Sequence, residues 1–191
     1  MSPAKGSELT KTKLMQLYRV MQESTVPARW AAVVSSAIVA SRRRDLLLST
    51  EIKIGVRRFR IVPNLSFAAG AASQVSRGDA VLAISSAPRV DLTFLQHAAE
   101  QKLPLILLLV CASKSSRSSP SFTAGTLPTI TVEASDAVAL LRVLQESVLH
   151  ARLGAGPTLI SCVSTMRAMP LSHMDAYLRA KKLSARASSN R

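Results

Sequence analysis

Glycine is scarce in this sequence, and the places where it occurs exclude the phosphate-binding loops of the common nucleotide-binding folds. The chain has seven glycines, at positions 6, 55, 70, 78, 125, 154 and 156. None of them forms the G-x-G-x-x-G or G-x-x-x-x-G-K-S/T spacing, in which backbone N–H groups approach the phosphates. The G-x-S-x-G elbow of many hydrolases is also absent. We therefore expect neither a dinucleotide site nor a P-loop.

Acidic residues are also few, since 11 Asp and Glu stand against 25 Lys and Arg. Paired carboxylates for general acid–base catalysis thus have few candidates. The three histidines, His97, His150 and His173, have no metal-ligand spacing to one another or to the two cysteines. We expect no metal site built on these residues, and we interpret Cys111 and Cys162 as small, buried, reduced residues.

Aromatic residues make up only 4% of the chain, so the stacking platforms that bind single-stranded nucleic acid are missing. The net charge of +14 nevertheless requires an interpretation. The basic residues concentrate at 42–44, at 53–60 and in the C-terminal tail. We favour a solvated basic surface, or a patch that faces an acidic partner protein, over a nucleic-acid interface.

Long apolar runs are missing as well. The longest, residues 103–112, contains Pro104 and reaches about half of the roughly 20 residues that a transmembrane helix needs. Residues 1–8 lack the apolar core of a signal peptide, which predicts a cytoplasmic protein. With 191 residues, 48% of them hydrophobic, the chain suits a single domain with one full core.

What the sequence does contain, from residue 64 onward, is a regular alternation of strand-length apolar runs with helical segments. The predicted strands are 80–85, 105–111, 129–132 and 158–163, and the predicted helices are 65–75, 91–101 and 135–153. The run at 105–110 is apolar at every position, so this strand is expected to be buried on both faces. The pattern predicts an α/β fold with a doubly wound, mostly parallel sheet and helices on both faces.

The first part of the chain is less regular. Residues 9–21 predict an amphipathic helix opened by Ser7 or Thr10, and residues 27–40 predict a second helix that is packed on most sides. Residues 51–62 alternate with period two, as a half-exposed strand does. The expected organisation is an N-terminal helical and basic segment at 1–63, an α/β core at 64–178 and a basic, frayed tail at 179–191.

Several segments form a recognisable series. They are Leu65-Ser-Phe-Ala-Ala-Gly-Ala-Ala, Ala80-Val-Leu-Ala-Ile, His97-Ala-Ala-Glu-Gln-Lys-Leu-Pro, Ser135-Asp136 before a long helix, and Ala151-Arg-Leu-Gly-Ala-Gly-Pro-Thr-Leu-Ile. Together they resemble the alpha subunit of the thiamine-diphosphate-dependent dehydrogenase component of 2-oxo acid dehydrogenase complexes (pyruvate, branched-chain and acetoin type). The resemblance implies a thiamine-diphosphate-binding fold and an oxidoreductase acting on 2-oxo acids. It also implies a beta-subunit-like partner.

The residues that would bind the cofactor depart from this family. Its Gly-Asp-Gly and Asn-Asn elements hold the Mg²⁺ that binds the diphosphate, and the matching positions here carry Ser85, Ser86, Ser113 and Lys114. Hydroxyls and an ammonium do not replace the anionic and carbonyl oxygens that Mg²⁺ prefers. We therefore expect no metal site, no bound thiamine diphosphate and no catalytic residue. An alternative is that Lys114 and the serine hydroxyls hold a phosphate without Mg²⁺.

Two functions are thus left open. In the first, the chain is an alpha-subunit-like component of this dehydrogenase family, acting with a beta-subunit-like protein that completes the active site or as a homo-oligomer. The motif losses predict that it is a pseudoenzyme, catalytically inactive on its own. In the second, it is a non-catalytic scaffold that binds partners through the retained subunit interface and the basic patches.

Overall fold

The computed structural model describes residues 9–50, 59–86, 93–112, 127–164 and 169–183. Within these ranges six helices and six strands occur. The helices are α1 (Lys11–Glu23), α2 (Ala28–Ala40), α3 (Leu65–Ala72), α4 (Thr93–Glu100), α5 (Ala137–Arg152) and α6 (Pro170–Ala180). The strands are β1 (Leu46–Ser49), β2 (Phe59–Ile61), β3 (Val81–Ser85), β4 (Leu105–Ala112), β5 (Thr129–Glu133) and β6 (Thr158–Ser164).

The six strands form one sheet in the order β2-β1-β3-β4-β6-β5. Every neighbouring pair is parallel, which confirms the predicted α/β class. The four strands predicted from residue 64 onward are all present, with ends that differ by one residue at most. Because β1 pairs with both β2 and β3, the sheet crosses the boundary expected between residues 63 and 64.

Helices cover both faces of the sheet, but unequally. One core joins the sheet to α1, α2, α5 and α6, and the other joins it to α3 and α4. Alternate residues of β4 enter the two cores: Ile106, Leu108 and Val110 face the first, and Leu105, Leu107 and Leu109 face the second. All six are at most 5% exposed. The uninterrupted apolar run is therefore explained by burial on both faces.

The direction of the crossovers reverses between β1 and β3. From β1 the chain proceeds to β2 on one side, whereas from β3 it proceeds to β4 on the other. In open α/β sheets such a switch point opens a crevice at the carboxyl ends of the two strands, and ligands bind there. The ends of β1 and β3 are therefore the position at which a sheet of this topology is expected to bind a ligand.

Local signals at the helix ends agree with the sequence. Thr10 caps α1 by accepting a hydrogen bond from the Lys13 N–H at 3.4 Å. Asp136 caps α5 by accepting from the Val138 and Ala139 N–H groups at 3.1 and 2.9 Å. Helix α5 ends before Gly154, which has φ +78°, a left-handed conformation that glycine adopts without a steric penalty. The helix predicted at 135–153 is thus confirmed, and Asp136 and Gly154 explain where it begins and ends.

Two predicted segments, the strand at 51–62 and the frayed tail at 179–191, are only partly described. Only the last part of the strand expected at 51–62 is described, as β2, and residues 51–58 lie outside the described ranges. Helix α6 continues to Ala180, and residues 184–191 of the expected tail also lie outside them. Among the helices described, none is both long and apolar enough to cross a membrane.

Candidate functional site

The carboxyl ends of β1 and β3 bring together a group of hydroxyls. Strand β1 ends at Ser49 and is followed by Thr50, and β3 ends at Ser85 and is followed by Ser86. The Thr50 Oγ1 atom donates a hydrogen bond to Ser85 Oγ at 2.9 Å. The Thr50 N–H donates to the Ile84 carbonyl at 3.2 Å. The two strand ends are thus tied to each other across the switch point.

The side chains in this cluster of hydroxyls are neutral and mostly buried. Ser49 and Ser85 are each 1% exposed, and Ser86 is half-buried. Of the predicted site residues, the structure therefore places Ser85 and Ser86 at the switch point. Ser113 and Lys114 lie outside the described residues. Ser49 and Thr50 are not predicted from the sequence, because β1 itself is not.

The donors present do not fit a Mg²⁺–diphosphate. Mg²⁺ requires near-octahedral oxygen coordination, usually with one or two carboxylates, and the described ends of β1 and β3 offer uncharged hydroxyls. Nowhere in the described ranges do three or more His, Cys, Asp or Glu side chains form a group that could hold a metal ion. The carboxylate of Glu133, at the end of β5, is three strands from β3, about 14 Å away at the usual strand spacing.

The two cysteines are unsuited to nucleophilic chemistry. Both are free thiols, and they lie on neighbouring strands at adjacent positions of the register, so that their side chains enter opposite faces. Burial raises the pKa of the Cys162 thiol far above its ordinary value. Burial also raises the pKa of the half-buried Cys111 thiol, against a smaller opposing effect of its hydrogen bond with Ser161. A protonated thiol is a poor nucleophile.

A second candidate site lies at the opposite edge of the sheet, where the strands begin. A cleft of about 570 Å³ opens between the turns that precede β3, β4 and β6. Basic residues from each turn line it: Arg77, Lys102 and Arg152. We call this feature the amino-edge cleft.

The walls of the amino-edge cleft are helix-to-strand turns with defined backbone. Gly78, Lys102 and Gly154 line them in left-handed conformations, with φ of +93°, +51° and +78°. The Leu103 N–H donates to the Ala98 carbonyl at 2.9 Å, which closes the end of α4. Such hydrogen-bonded helix ends hold their turns in one conformation.

A buried ion pair ties this edge together. The Asp45 side chain has no exposed surface and accepts hydrogen bonds from the Arg42 N–H at 2.5 Å and the Ala80 N–H at 2.9 Å. It also pairs with the Arg152 guanidinium, which is 11% exposed. The Arg152 Nε atom is buried and has no hydrogen-bond partner among the described residues. One carboxylate therefore joins the turn before β1, the start of β3 and the end of α5.

The described residues at the two edges differ in charge. The described turns of the amino edge, counted with the last residue of each helix that leads into them, contain six basic residues against three acidic ones, Asp45, Asp79 and Glu100, and the basic residues are Arg42, Arg43, Arg44, Arg77, Lys102 and Arg152. The described residues at the carboxyl ends of the strands contain no Lys or Arg. The sequence located residues 42–44 as a basic cluster, but the convergence of Arg77, Lys102 and Arg152 on it follows only from the strand order.

No protein-family model and no curated protein matches the chain at a significant level.

Proposed function

We propose that this protein is a catalytically inactive relative of the alpha subunit of thiamine-diphosphate-dependent 2-oxo acid dehydrogenase components. The observation that carries the proposal is the hydrogen bond from the Thr50 hydroxyl to the Ser85 hydroxyl at the switch point. The all-parallel sheet with helices on both faces supports the scaffold part of the proposal. The Asp136 cap and the Gly154 helix end support it as well, because they lie in the segments that carry the resemblance.

The described residues of the same edge support an absence of turnover. Serine and threonine hydroxyls are neutral at physiological pH, and they become nucleophiles only beside a positioned base. Burial raises the pKa of the Cys111 thiol, which lies near the end of the next strand. Within the described ranges, no three His, Cys, Asp or Glu side chains form a group that could hold a metal ion.

A second candidate function is that of a scaffold acting through its subunit surfaces, and one observation favours it. Strand β2 is an edge strand, and Ile61 on it is 58% exposed. Phe67, six residues further along the chain on α3, is 60% exposed. Large exposed apolar side chains, and a strand at the edge of the sheet that the described residues form, are typical of protein–protein contacts. A beta-subunit-like protein or a second copy of the chain would be the partner.

Isothermal titration calorimetry with thiamine diphosphate, with and without Mg²⁺, tests the first proposal. We expect no binding heat in either condition, with an active dehydrogenase component of this type titrated in parallel as the positive control. Mg²⁺-dependent binding, or decarboxylation of a 2-oxo acid after addition of a beta subunit, would overturn the proposal. Mg²⁺-independent binding that disappears in Lys114→Ala would overturn it in favour of the phosphate site at Lys114.

The scaffold function is tested separately, by size-exclusion chromatography with light scattering. We expect a complex with a beta subunit, or a dimer, that is weakened by Phe67→Ser and left intact by the matched change of the exposed Leu171→Ser on α6. A monomer in both mixtures would contradict this function and leave the cofactor result unaffected.

A further inference from the structure

We propose that the amino-edge cleft is a docking surface for an extended acidic segment of a partner protein, one that also carries an apolar side chain. This inference goes beyond the function proposed above, because it involves the opposite edge of the sheet and requires no property of the hydroxyl group.

The charge of the cleft and of the neighbouring turn is the first observation. Arg77 and Lys102 line the cleft, and Arg43 and Arg44 lie in the turn before β1. All four are exposed, and no carboxylate of the described residues lies within 4 Å of them. The charge of Asp45 does not compensate them, because this carboxylate is buried against Arg152. Clustered cations without counter-charges attract acidic partners and accelerate their association.

The spread of these cations indicates an extended ligand and not a compact anion. Helices α3, α4 and α5 all end at this edge, and each helix C-terminus carries about half a negative charge. Asp79 lines the cleft as well. A single phosphate inside the cleft would therefore lie near several negative groups, whereas carboxylates along the rim would lie near the cations. Arg152 is already engaged by Asp45.

The geometry of the sheet sets the length of the segment. The turns before β1, β3, β4 and β6 belong to four neighbouring strands, which span about 14 Å at the usual strand spacing. An extended peptide advances about 3.3 Å per residue, so about five residues cross the edge. Two or three acidic side chains within such a segment would be enough to reach the basic turns.

Apolar side chains in the lining favour a protein over a nucleic acid. Leu153 lines the cleft and is 75% exposed. Leu149, one helical turn earlier, is 53% exposed. Val75 and Pro104 also line the cleft, and no aromatic residue does so among the described residues. Apolar and charged side chains in one lining match the general composition of a protein interface, and the described lining offers no base-stacking platform of the kind found in nucleic-acid sites.

Fluorescence anisotropy with a labelled peptide of six residues that alternates Glu and Leu tests the proposal at two salt concentrations. Matched peptides with Gln for Glu, or with Ser for Leu, are the ligand controls, and a labelled single-stranded oligonucleotide is the competing class. We expect Arg77→Glu/Lys102→Glu to weaken binding of the Glu-Leu peptide about tenfold or more, because it reverses two rim charges. We expect Leu153→Ser to weaken it about threefold or more, because it removes apolar contact area.

The control variant is Lys11→Glu/Lys13→Glu, which makes the same change in net charge on exposed residues of α1. We expect it to bind the peptide as the unchanged protein does. Equal weakening by both double variants would overturn the proposal, because binding would then follow net charge alone. Tighter binding of the oligonucleotide, insensitive to Leu153→Ser, would overturn it in favour of a nucleic-acid surface. No binding of the Glu-Leu peptide would also overturn it. None of these results depends on thiamine diphosphate.

Discussion

The two edges of this sheet are formed by the same strands, and their described residues differ in chemistry. At the carboxyl edge, the described residues of the switch point are serines and a threonine, and the Thr50 hydroxyl hydrogen-bonds to that of Ser85. At the amino edge, Arg77, Lys102 and Arg152 line a cleft, and Arg42, Arg43 and Arg44 lie in the turn before β1. In a parallel sheet all strands begin at one edge, so a basic residue in each helix-to-strand turn adds to the same surface.

The two edges of a parallel sheet can serve different functions, one in ligand chemistry and the other in contacts with a partner. The carboxyl edge is where open α/β sheets bind small ligands and carry out chemistry, and here the described strand ends at the switch point carry no charged side chain. Among the described residues, the turns of the amino edge carry more basic than acidic side chains, and the buried pair of Asp45 and Arg152 connects them. We infer that the reactive edge has lost its chemistry and that the other edge is used for contacts. Four experiments challenge or refine this contrast.

The largest effect is expected from Asp45→Asn at the amino edge. The change leaves the Arg152 guanidinium buried without a counter-charge, so we expect the free energy of unfolding to fall by about 3–5 kcal/mol. Urea unfolding followed by circular dichroism measures it. The control is Asp79→Asn, a half-buried carboxylate in the same cleft with no ion pair among the described residues, for which about 0.5 kcal/mol or less is expected. Equal effects would show that the Asp45 pair is not special.

At the carboxyl edge, removal of either partner of the hydroxyl pair is expected to cost less. Thr50→Val and Ser85→Ala should each lower the free energy of unfolding by about 1 kcal/mol, because each removes a neutral, partly buried hydrogen bond. The double variant should cost less than the sum of the two, which a double-mutant cycle measures. Ser86→Ala, next in the chain, is the control. Strict additivity would mean that the two strand ends are not coupled.

The thiols provide a smaller, pH-dependent effect. Because burial raises the pKa of Cys162 in the folded protein, its stabilising contribution is complete below the pKa of an unfolded thiol, about 8.5, and declines as the pH rises above it. Each further pH unit should cost about 1.4 kcal/mol while the unfolded thiol alone is ionised. Urea unfolding between pH 7 and 10 measures this slope.

Variants of the two cysteines show which thiol causes this pH dependence of the free energy of unfolding. Cys162→Ala should remove most of it, and Cys111→Ser should remove less, since Cys111 is only half-buried. Alkylation at pH 8 should modify Cys111 first and leave Cys162 protected until the chain unfolds. Rapid modification of Cys162 in the folded protein would show that its thiol is accessible and would contradict its complete burial.

The smallest effect on stability is expected where we expect the largest effect on binding. Arg77→Glu/Lys102→Glu should change the free energy of unfolding by about 0.5 kcal/mol or less, because both side chains are exposed and unpaired among the described residues. Thermal and urea unfolding of the variant used in the peptide assay measure this. A large destabilisation would mean that the rim maintains the fold and is not free for a partner.

The sequence predicts the regular part of this fold well. The run at 105–110 identifies β4 as a doubly buried strand because every position is apolar. Asp136 and Gly154 predict the ends of α5 because caps depend on neighbouring residues only. Strand β1 is not predicted, because its apolar run is only three leucines long, at 46–48, and lies close to Arg42–Arg44. Its pairing with β2 and β3 stabilises it in the folded protein. Helix α6 is not predicted either, although Met174 and Leu178 bury one of its faces.

For the candidate sites the division is similar. The sequence alone determined that the chain forms an α/β sheet and that a buried strand ends at Ser85 and is followed by Ser86, with no carboxylate at either position. These properties depend on residue type and local pattern. Only the tertiary structure decided that Thr50 meets Ser85, and that Arg77, Lys102 and Arg152 meet around one cleft. Residues far apart in the chain come together because parallel pairing aligns the strand ends, and a one-dimensional pattern does not contain the order of the strands.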